Sequence, residues 1–176
     1  AYYSIMKIKI NGGVRPYYVQ MLAMLFFPGE KFPIGEEDDG VRKASIDIVE
    51  EKEGIKSIAV LYVDGKSAVC ETFTKYSFMS KDRTAKISCG KAFVGACSEI
   101  CGYFPPWGIL TGVRPASVAS EILAYGLSYE EAVFCLTDSY MVRPDKARLA
   151  VDTALASERI TVPGKGRECS IYIPRI

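Results

Sequence analysis

Residues 43–74 read KASIDIVEEKEGIKSIAVLYVDGKSAVCETFT, and this stretch contains three strand-like segments in succession. In residues 43–50 apolar and polar side chains alternate, as they do in a strand with one buried face. Residues 56–63 are almost continuously apolar, which favours a central strand. Asp64-Gly65 then predicts a tight hairpin turn into a third strand over residues 67–74. The stretch therefore predicts an antiparallel meander.

One more strand and two helices flank the meander. Apolar residues alternate with lysines in residues 4–10, which predicts a strand. Pro16 then opens a helix that extends to about Phe27, and this helix is apolar on nearly all sides, so we expect it to be buried. After the meander, apolar residues three and four apart predict a long helix from Asp82 that Pro105-Pro106 ends. The predicted apolar face of this helix consists of Ala85, Cys89, Ala92, Phe93, Ala96, Cys97, Ile100, Cys101 and Phe104.

Three shorter helices are predicted in the last third of the chain. Pro115 and Pro144 open two of them, and Ser128 with Glu131 forms a capping box for the helix between. The predicted fold class is α+β, with a small, mainly antiparallel sheet in the order β-α-β-β-β-α followed by a C-terminal helical cluster. The predicted parts are an α+β sheet domain over residues 1–104, a connector plus three-helix cluster packed on it over 105–160, and a linker with the start of a new element over 161–176.

The composition excludes several classes of function. The chain has 176 residues, a net charge of +1 and no histidine. Without histidine it has neither a Ser-His-Asp triad nor a Cys-His pair, and we predict no catalytic residues and no enzyme activity for this chain alone. The near-neutral charge gives no reason to expect a nucleic-acid partner. No apolar run reaches the roughly 18 residues that a membrane span needs, so no membrane partner is expected.

The six cysteines raise the question of a disulfide or metal site. No signal peptide opens the chain, and most of the cysteines lie in apolar helical patterns, so we predict reduced core thiols in a cytoplasmic protein. Cys97 and Cys101 have the spacing that begins a Cys-x3-Cys-x2-Cys cluster motif. The third position holds Phe104, however, so the motif is incomplete. We therefore predict no metal site in this chain.

A repeated tripeptide is the most unusual internal feature. Val-Arg-Pro occurs three times, each time before a predicted helix, and its arginines are Arg15, Arg114 and Arg143. An arginine at a helix start lies where free N–H groups and the helix dipole already favour an anion, and it could bind a carboxylate with both ends of its guanidinium group. The alternative is ordinary helix-start chemistry with a solvated or internally paired arginine. Both interpretations remain open, and Arg114 is the leading candidate for a ligand or interface contact.

Arg114 is the leading candidate because of the connector before it. Residues 105–115 hold the only tryptophan, Trp107, together with Thr111 and two glycines, between two predicted helices. Connectors are usually short and polar, whereas this one is apolar. We therefore expect it to pack against another surface, and to expose more apolar area than a lone domain normally tolerates. Trp107 and Thr111 join the three arginines as candidate interface residues.

The run WGILTGVRP, from Trp107 to Pro115, resembles a marker segment in the N-terminal region of HemZ-like coproporphyrinogen dehydrogenases. These are radical S-adenosylmethionine (SAM) proteins of the oxygen-independent coproporphyrinogen III oxidase group. The lysine-rich first strand, the meander and the helices after Arg114 fit the same region. Residues 169–173, CSIYI, are similar to the segment that opens the family's catalytic barrel.

The resemblance implies a role in heme and porphyrin biosynthesis. It identifies the chain as a non-catalytic accessory domain that packs on the radical SAM barrel, its expected partner, and ends at the barrel entrance. The enzyme as a whole would be an oxidoreductase with a [4Fe–4S] cluster and S-adenosylmethionine as cofactors, whereas no cofactor is expected in this chain. The alternative is a self-standing binding module that recognises an anionic or carboxylate ligand through its Arg-Pro helix starts.

Overall fold

Four strands form one mixed sheet in the order β1-β2-β3-β4. The structure is a computed structural model, and it describes residues 4–35 and 41–160. The strands are β1 (Lys7–Asn11), β2 (Arg42–Glu50), β3 (Gly54–Val63) and β4 (Lys66–Lys75). The helices are α1 (Pro16–Phe26), α2 (Lys81–Cys101), α3 (Pro115–Ala124), α4 (Tyr129–Asp138) and α5 (Pro144–Ile160). The α+β class and the predicted element order are confirmed.

The meander has the predicted antiparallel pairing, with β3 between β2 and β4. Its hairpin turn has positive φ at both central positions, 50° at Asp64 and 82° at Gly65, as a tight two-residue turn requires. β1 differs from the other strands because it runs parallel to β2, with Ile8 opposite Ala44. The parallel pairing follows from α1, which returns the chain to the starting edge before β2 begins.

A short segment between α1 and β2 also pairs with β1, on its outer side. The N–H groups of Met6 and Ile8 donate to the carbonyl oxygens of Lys31 and Pro33, each at 3.0 Å. In return, the N–H of Gly35 donates to the carbonyl of Ile8 at 3.1 Å. The beginning of the outer edge of β1 is therefore hydrogen-bonded by the chain itself.

α2 covers the inner face of β3 and β4. Its most buried large side chain is Phe93, which is fully buried in the core. A polar contact fixes the position of the helix on the sheet, since the buried hydroxyl of Ser88 donates to the carbonyl oxygen of Ile55 at 2.9 Å. The Thr72 hydroxyl donates to the Ser88 carbonyl oxygen at the same distance. The buried hydroxyl is thus satisfied, as buried polar groups generally are.

α2 ends earlier than predicted. Gly102, in the left-handed conformation at φ 63°, caps the helix, and its N–H donates to the Ser98 carbonyl at 2.9 Å. Pro105-Pro106 therefore follow the end of the helix and do not cause it. Phe104, placed by the spacing on the apolar helical face, lies outside the helix and is 46% exposed. Cys101, in the last helical position, is exposed as well.

α1 is less buried than its composition predicts. Only Val19, Leu22 and Ala23 are buried, whereas Tyr17 is 69% and Met24 51% exposed. The expectation of an entirely buried helix was wrong because α1 packs beside α2 through one narrow stripe. Its other sides carry apolar residues that no described part of the chain covers.

The helical cluster of α3, α4 and α5 shares one continuous hydrophobic core with the sheet layer. The predicted capping box begins α4: the Ser128 N–H donates to the Glu131 carboxylate at 2.8 Å, and the Glu131 N–H donates to the Ser128 hydroxyl at 3.4 Å. The predicted linker over residues 161–176 lies outside the described residues. Within residues 4–35 and 41–160, no helix combines the length and apolar character that crossing a membrane would take.

Candidate functional site

The connector between α2 and α3 is held by backbone hydrogen bonds to the segment between α4 and α5. The Ile109 N–H donates to the Tyr140 carbonyl, and the Arg143 N–H donates to the Pro106 carbonyl, both at 3.0 Å. Gly108 lies between these two bonds at φ 55°, and a Cβ atom there would collide with the backbone of Tyr140 and Met141. Only glycine therefore permits this close approach.

Most apolar side chains of the connector are covered by this chain. Ile109 is 2% exposed, and Trp107 and Leu110 are half-buried against the core. Within residues 105–115, Val113 is the only large apolar side chain that is widely exposed, at 54%. The expectation that the connector exposes unusual apolar surface was wrong, because the α4–α5 segment and the core already pack against it.

A pocket of about 280 Å³ opens where the connector meets the first halves of α1 and α2. Its apolar lining comes from α1, α2, the connector and α3. The aliphatic residues of this lining are Met21, Ile87, Ile109, Leu110, Val113 and Val118. This volume lies at the lower end of the range of roughly 300–1,000 Å³ seen for small-molecule sites.

Three cationic side chains line the same pocket: Arg15 at the start of α1, and Arg83 and Lys86 on α2. Arg83 and Lys86 are three residues apart and therefore lie side by side on one helical face. Arg83 already has a counterion, since its guanidinium group is paired with Glu121. No described residue that lines the pocket is acidic. The pocket thus combines an apolar floor with excess positive charge.

Tyr18 and Tyr140 complete the wall of the pocket, together with the more exposed Tyr17. The Tyr18 hydroxyl donates to the Ile109 carbonyl at 3.3 Å, and the Tyr140 hydroxyl contacts the Met79 sulfur at 3.8 Å. Burial raises the pKa of Tyr18 well above its ordinary value and that of Tyr140 to about 12. Both phenols therefore stay protonated at neutral pH and act as hydrogen-bond donors, not as bases.

Gly90 explains how the pocket closes at its base. A Cβ atom at this position of α2 would collide with the Tyr18 hydroxyl and lie 3.1 Å from Cβ of Ile109. The missing side chain allows α1 and the connector to approach α2 closely at one point. Gly90 therefore permits the close packing at the base of the pocket. The apolar pattern of α2 does not reveal this role.

The structure separates the residues that the sequence singled out. Arg15 and Thr111 line the pocket. Trp107 lies apart from it, with the Lys146 ammonium group 5.8 Å from its ring centroid. Arg114 is at the start of α3 as predicted, but it is exposed and does not line the pocket, and its side chain has no partner among the described residues. The anion-site interpretation is therefore best supported at Arg15 and not at Arg114.

Arg143 is engaged within its own helix start. Its Nε and Nη2 donate to the two carboxylate oxygens of Asp145 at 2.5 and 2.7 Å. Arg143 therefore fits the alternative of ordinary helix-start chemistry with an internally paired arginine. Sequence reasoning missed Arg83, Lys86, Tyr18 and Tyr140, because three separate parts of the chain, namely α2, α1 and the α4–α5 segment, bring them to one place. Only the three-residue spacing of Arg83 and Lys86 was a local signal.

The Arg143–Asp145 pair has a measurable signature. Hydrogen bonding from Arg143 lowers the pKa of Asp145 from 3.8 to about 2. We expect Arg143→Gln to return this pKa toward 3.8, as measured by NMR titration of the carboxyl carbon. Because the folded-state pKa is depressed, the pair stabilises the fold above pH 3.8, and this contribution is lost as the pH falls toward 2. An unchanged Asp145 titration in the variant would contradict the pairing.

The cysteines differ in their surroundings. Cys89, Cys97 and Cys135 are buried free thiols, Cys70 is half-buried, and Cys169 lies outside the described residues. Burial raises the pKa of Cys89 to about 12 and that of Cys97 further, which disfavours the thiolate that a metal or an electrophile requires. Cys97 is buried and Cys101 exposed, so the two do not share one apolar face as predicted. In the described ranges no three potential ligands cluster in a way that could hold a metal ion.

In comparisons with protein-family models, with curated proteins and with solved structures, the chain matches none.

Proposed function

We propose that this chain is a non-catalytic accessory domain of a HemZ-like radical SAM protein and that it packs on the catalytic barrel. The proposal joins the resemblance of residues 107–115 to one structural observation. That observation is an apolar surface, the α1–α2 patch, formed by Met24, Leu25, Phe26, Tyr103 and Phe104. The larger protein would be an oxidoreductase of porphyrin biosynthesis with a [4Fe–4S] cluster and S-adenosylmethionine, and this chain would contribute a docking surface.

The α1–α2 patch joins the end of α1 to the residues that follow α2 through one aromatic contact. The rings of Phe26 and Tyr103 meet edge to face, with centroids 5.9 Å apart. Met24 is 51%, Tyr103 48% and Phe104 46% exposed, and Leu25 is 39% exposed beside them. Scattered apolar side chains are normal on a protein surface, whereas a larger group of exposed apolar side chains supports the proposal of an interaction site. The patch, rather than residues 105–115 of the connector, therefore supports a docking role.

The proposal can be tested by mixing the purified chain with a separately purified HemZ-like barrel. We expect a complex by size-exclusion chromatography and calorimetry, and we expect Met24→Lys with Phe104→Lys to weaken it at least about tenfold, because two buried cations would be left without partners. Conversion of coproporphyrinogen by the barrel should rise with the wild-type chain and not with the variant.

A matched control comes from Phe134, which is 67% exposed on α4, away from the patch. Phe134→Lys should bind the barrel like the wild type. If no complex forms, or if both variants weaken it equally, the docking role is wrong.

A further inference from the structure

We infer that the pocket between α1, α2 and the connector binds a small organic anion with an apolar body, such as an aromatic monocarboxylate. The inference does not depend on the accessory role. The pocket lies at the beginning of α1, around Arg15 and Tyr18, whereas the α1–α2 patch lies at its end. A ligand in the pocket and a barrel on the patch would therefore use different surfaces of the same helix.

The cationic side chains that line the pocket indicate that its ligand is negatively charged. Arg83 is neutralised by Glu121, while Arg15 and Lys86 have no ion-pair partner among the residues that the structure describes. Two uncompensated cations beside an apolar cavity without acidic lining residues attract an anion, and the apolar surroundings strengthen that attraction relative to open solvent. Arg15 can also bind both oxygens of a carboxylate through its planar guanidinium group.

The apolar residues of the pocket floor indicate that the ligand also has an apolar part. Met21, Ile87 and Val118 come from three helices and offer carbon surfaces that a bare inorganic anion would leave uncovered. Thr111 lines the same pocket as Arg15, and its hydroxyl is a hydrogen-bond donor suited to the anionic end of the ligand. The ligand thus places its apolar part inward and its charged group between Arg15 and Lys86.

The small volume limits the size of the ligand. About 280 Å³ accommodates one or two fused rings, or a short branched chain, but not a large cofactor. The tyrosine hydroxyls at the base stay protonated, so they do not repel an anion. These features favour 2-naphthoate as a probe and 2-naphthalenemethanol as its neutral counterpart of the same shape.

The test is calorimetric titration of the full chain with 2-naphthoate, 2-naphthalenemethanol and inorganic phosphate at low salt. For 2-naphthoate we expect a Kd of roughly 0.1–1 mM, which is reasonable for a ligand of this size. The neutral alcohol should bind at least about tenfold more weakly because it lacks the charge-assisted hydrogen bonds. NMR shifts on binding should concentrate at the backbone amides of residues 109–113.

The variants locate the charge contact. Arg15→Gln should weaken 2-naphthoate binding about tenfold or more and leave the weak binding of the alcohol unchanged. Arg114→Gln is the matched control, since the same Gly-Val-Arg-Pro sequence places Arg114 at the start of α3 but outside the pocket. It should bind 2-naphthoate within about twofold of the wild type, because a solvent-exposed charge that does not line the pocket is screened and contributes little. Both arginines are exposed and have no side-chain partner within residues 4–35 and 41–160, so neither change should alter the thermal unfolding midpoint.

Several results would overturn the inference. Equal affinity for 2-naphthoate and 2-naphthalenemethanol would show that the cations do not contribute to binding. Equal affinity for 2-naphthoate and phosphate would show that the apolar floor does not contribute. Equal weakening by Arg15→Gln and Arg114→Gln would show non-specific attraction. The absence of binding by every probe would show that the pocket takes no ligand of this class. None of these measurements involves the barrel, so failure here leaves the accessory role untouched, and the reverse is also true.

Discussion

Replacing Phe93 with alanine should lower the free energy of unfolding by about 3–5 kcal/mol, the usual cost of removing a fully buried aromatic ring. Phe93 is among the largest completely buried side chains and lies on the face of α2 that packs against the sheet. Its removal would leave a cavity in the middle of the core, where α2 and the strands cannot both move in to fill it. Chemical denaturation followed by circular dichroism measures the change.

The control for this prediction is Phe134→Ala. Phe134 also lies on a helix, but it is 67% exposed, so its truncation should change the free energy of unfolding by no more than about 0.5 kcal/mol. A loss below about 1 kcal/mol for Phe93→Ala would mean that the core rearranges around the missing ring. That outcome would contradict the packing of α2 on β3 and β4.

Gly108→Ala should destabilise the protein by about 2–5 kcal/mol, the sum of left-handed backbone strain and overpacking. The added Cβ would collide with the backbone of Tyr140 and Met141, which is held in place by the Ile109–Tyr140 hydrogen bond. Relief of the collision requires the connector to move away from the α4–α5 segment. Because Ile109 and Leu110 also line the pocket, 2-naphthoate binding should weaken in the same variant.

The variant Gly112→Ala separates the cost of left-handed backbone strain from the cost of overpacking. Gly112 has a similar φ of 67°, but a Cβ atom there meets nothing within 4 Å. This variant should therefore lose only the strain, about 1–2 kcal/mol. Equal losses in thermal or chemical denaturation of the two variants would show that the contact between Gly108 and the α4–α5 segment does not stabilise the fold.

The sequence predicted the elements of this fold well, because each has a strong local signal. Alternation marks the strands, Asp64-Gly65 marks the hairpin, and Pro16, Pro115 and Pro144 mark helix starts. The parallel pairing of β1 with β2 was harder to predict from the sequence, since the direction of a strand depends on where α1 returns the chain. The end of α2 was misplaced because two prolines are a more conspicuous signal than the single Gly102 that caps it.

The candidate site was predicted only in part. Arg15 and Thr111 were selected from sequence and do meet in one pocket. Arg114 and Arg143 have the same local motif but different surroundings, namely open solvent and the Asp145 carboxylate. A tripeptide can specify a helix start, but it cannot specify what faces that start, because the opposite wall comes from distant parts of the chain. For the same reason no sequence motif predicted that Arg83 and Lys86 line the pocket.

The hydrogen bonds on the outer side of β1 have a consequence for self-association. A sheet edge with unpaired N–H and C=O groups is a template on which another chain can add a strand. At β1 the segment around Lys31 and Pro33 already occupies the outward groups of Ile8, as it does the N–H of Met6 just before the strand. Among the described strands this leaves β4 as the other edge, which carries lysines at both ends and Glu71 within it. Strand exchange between copies of this protein would therefore have to begin at a charged edge, where like charges on two copies oppose the pairing.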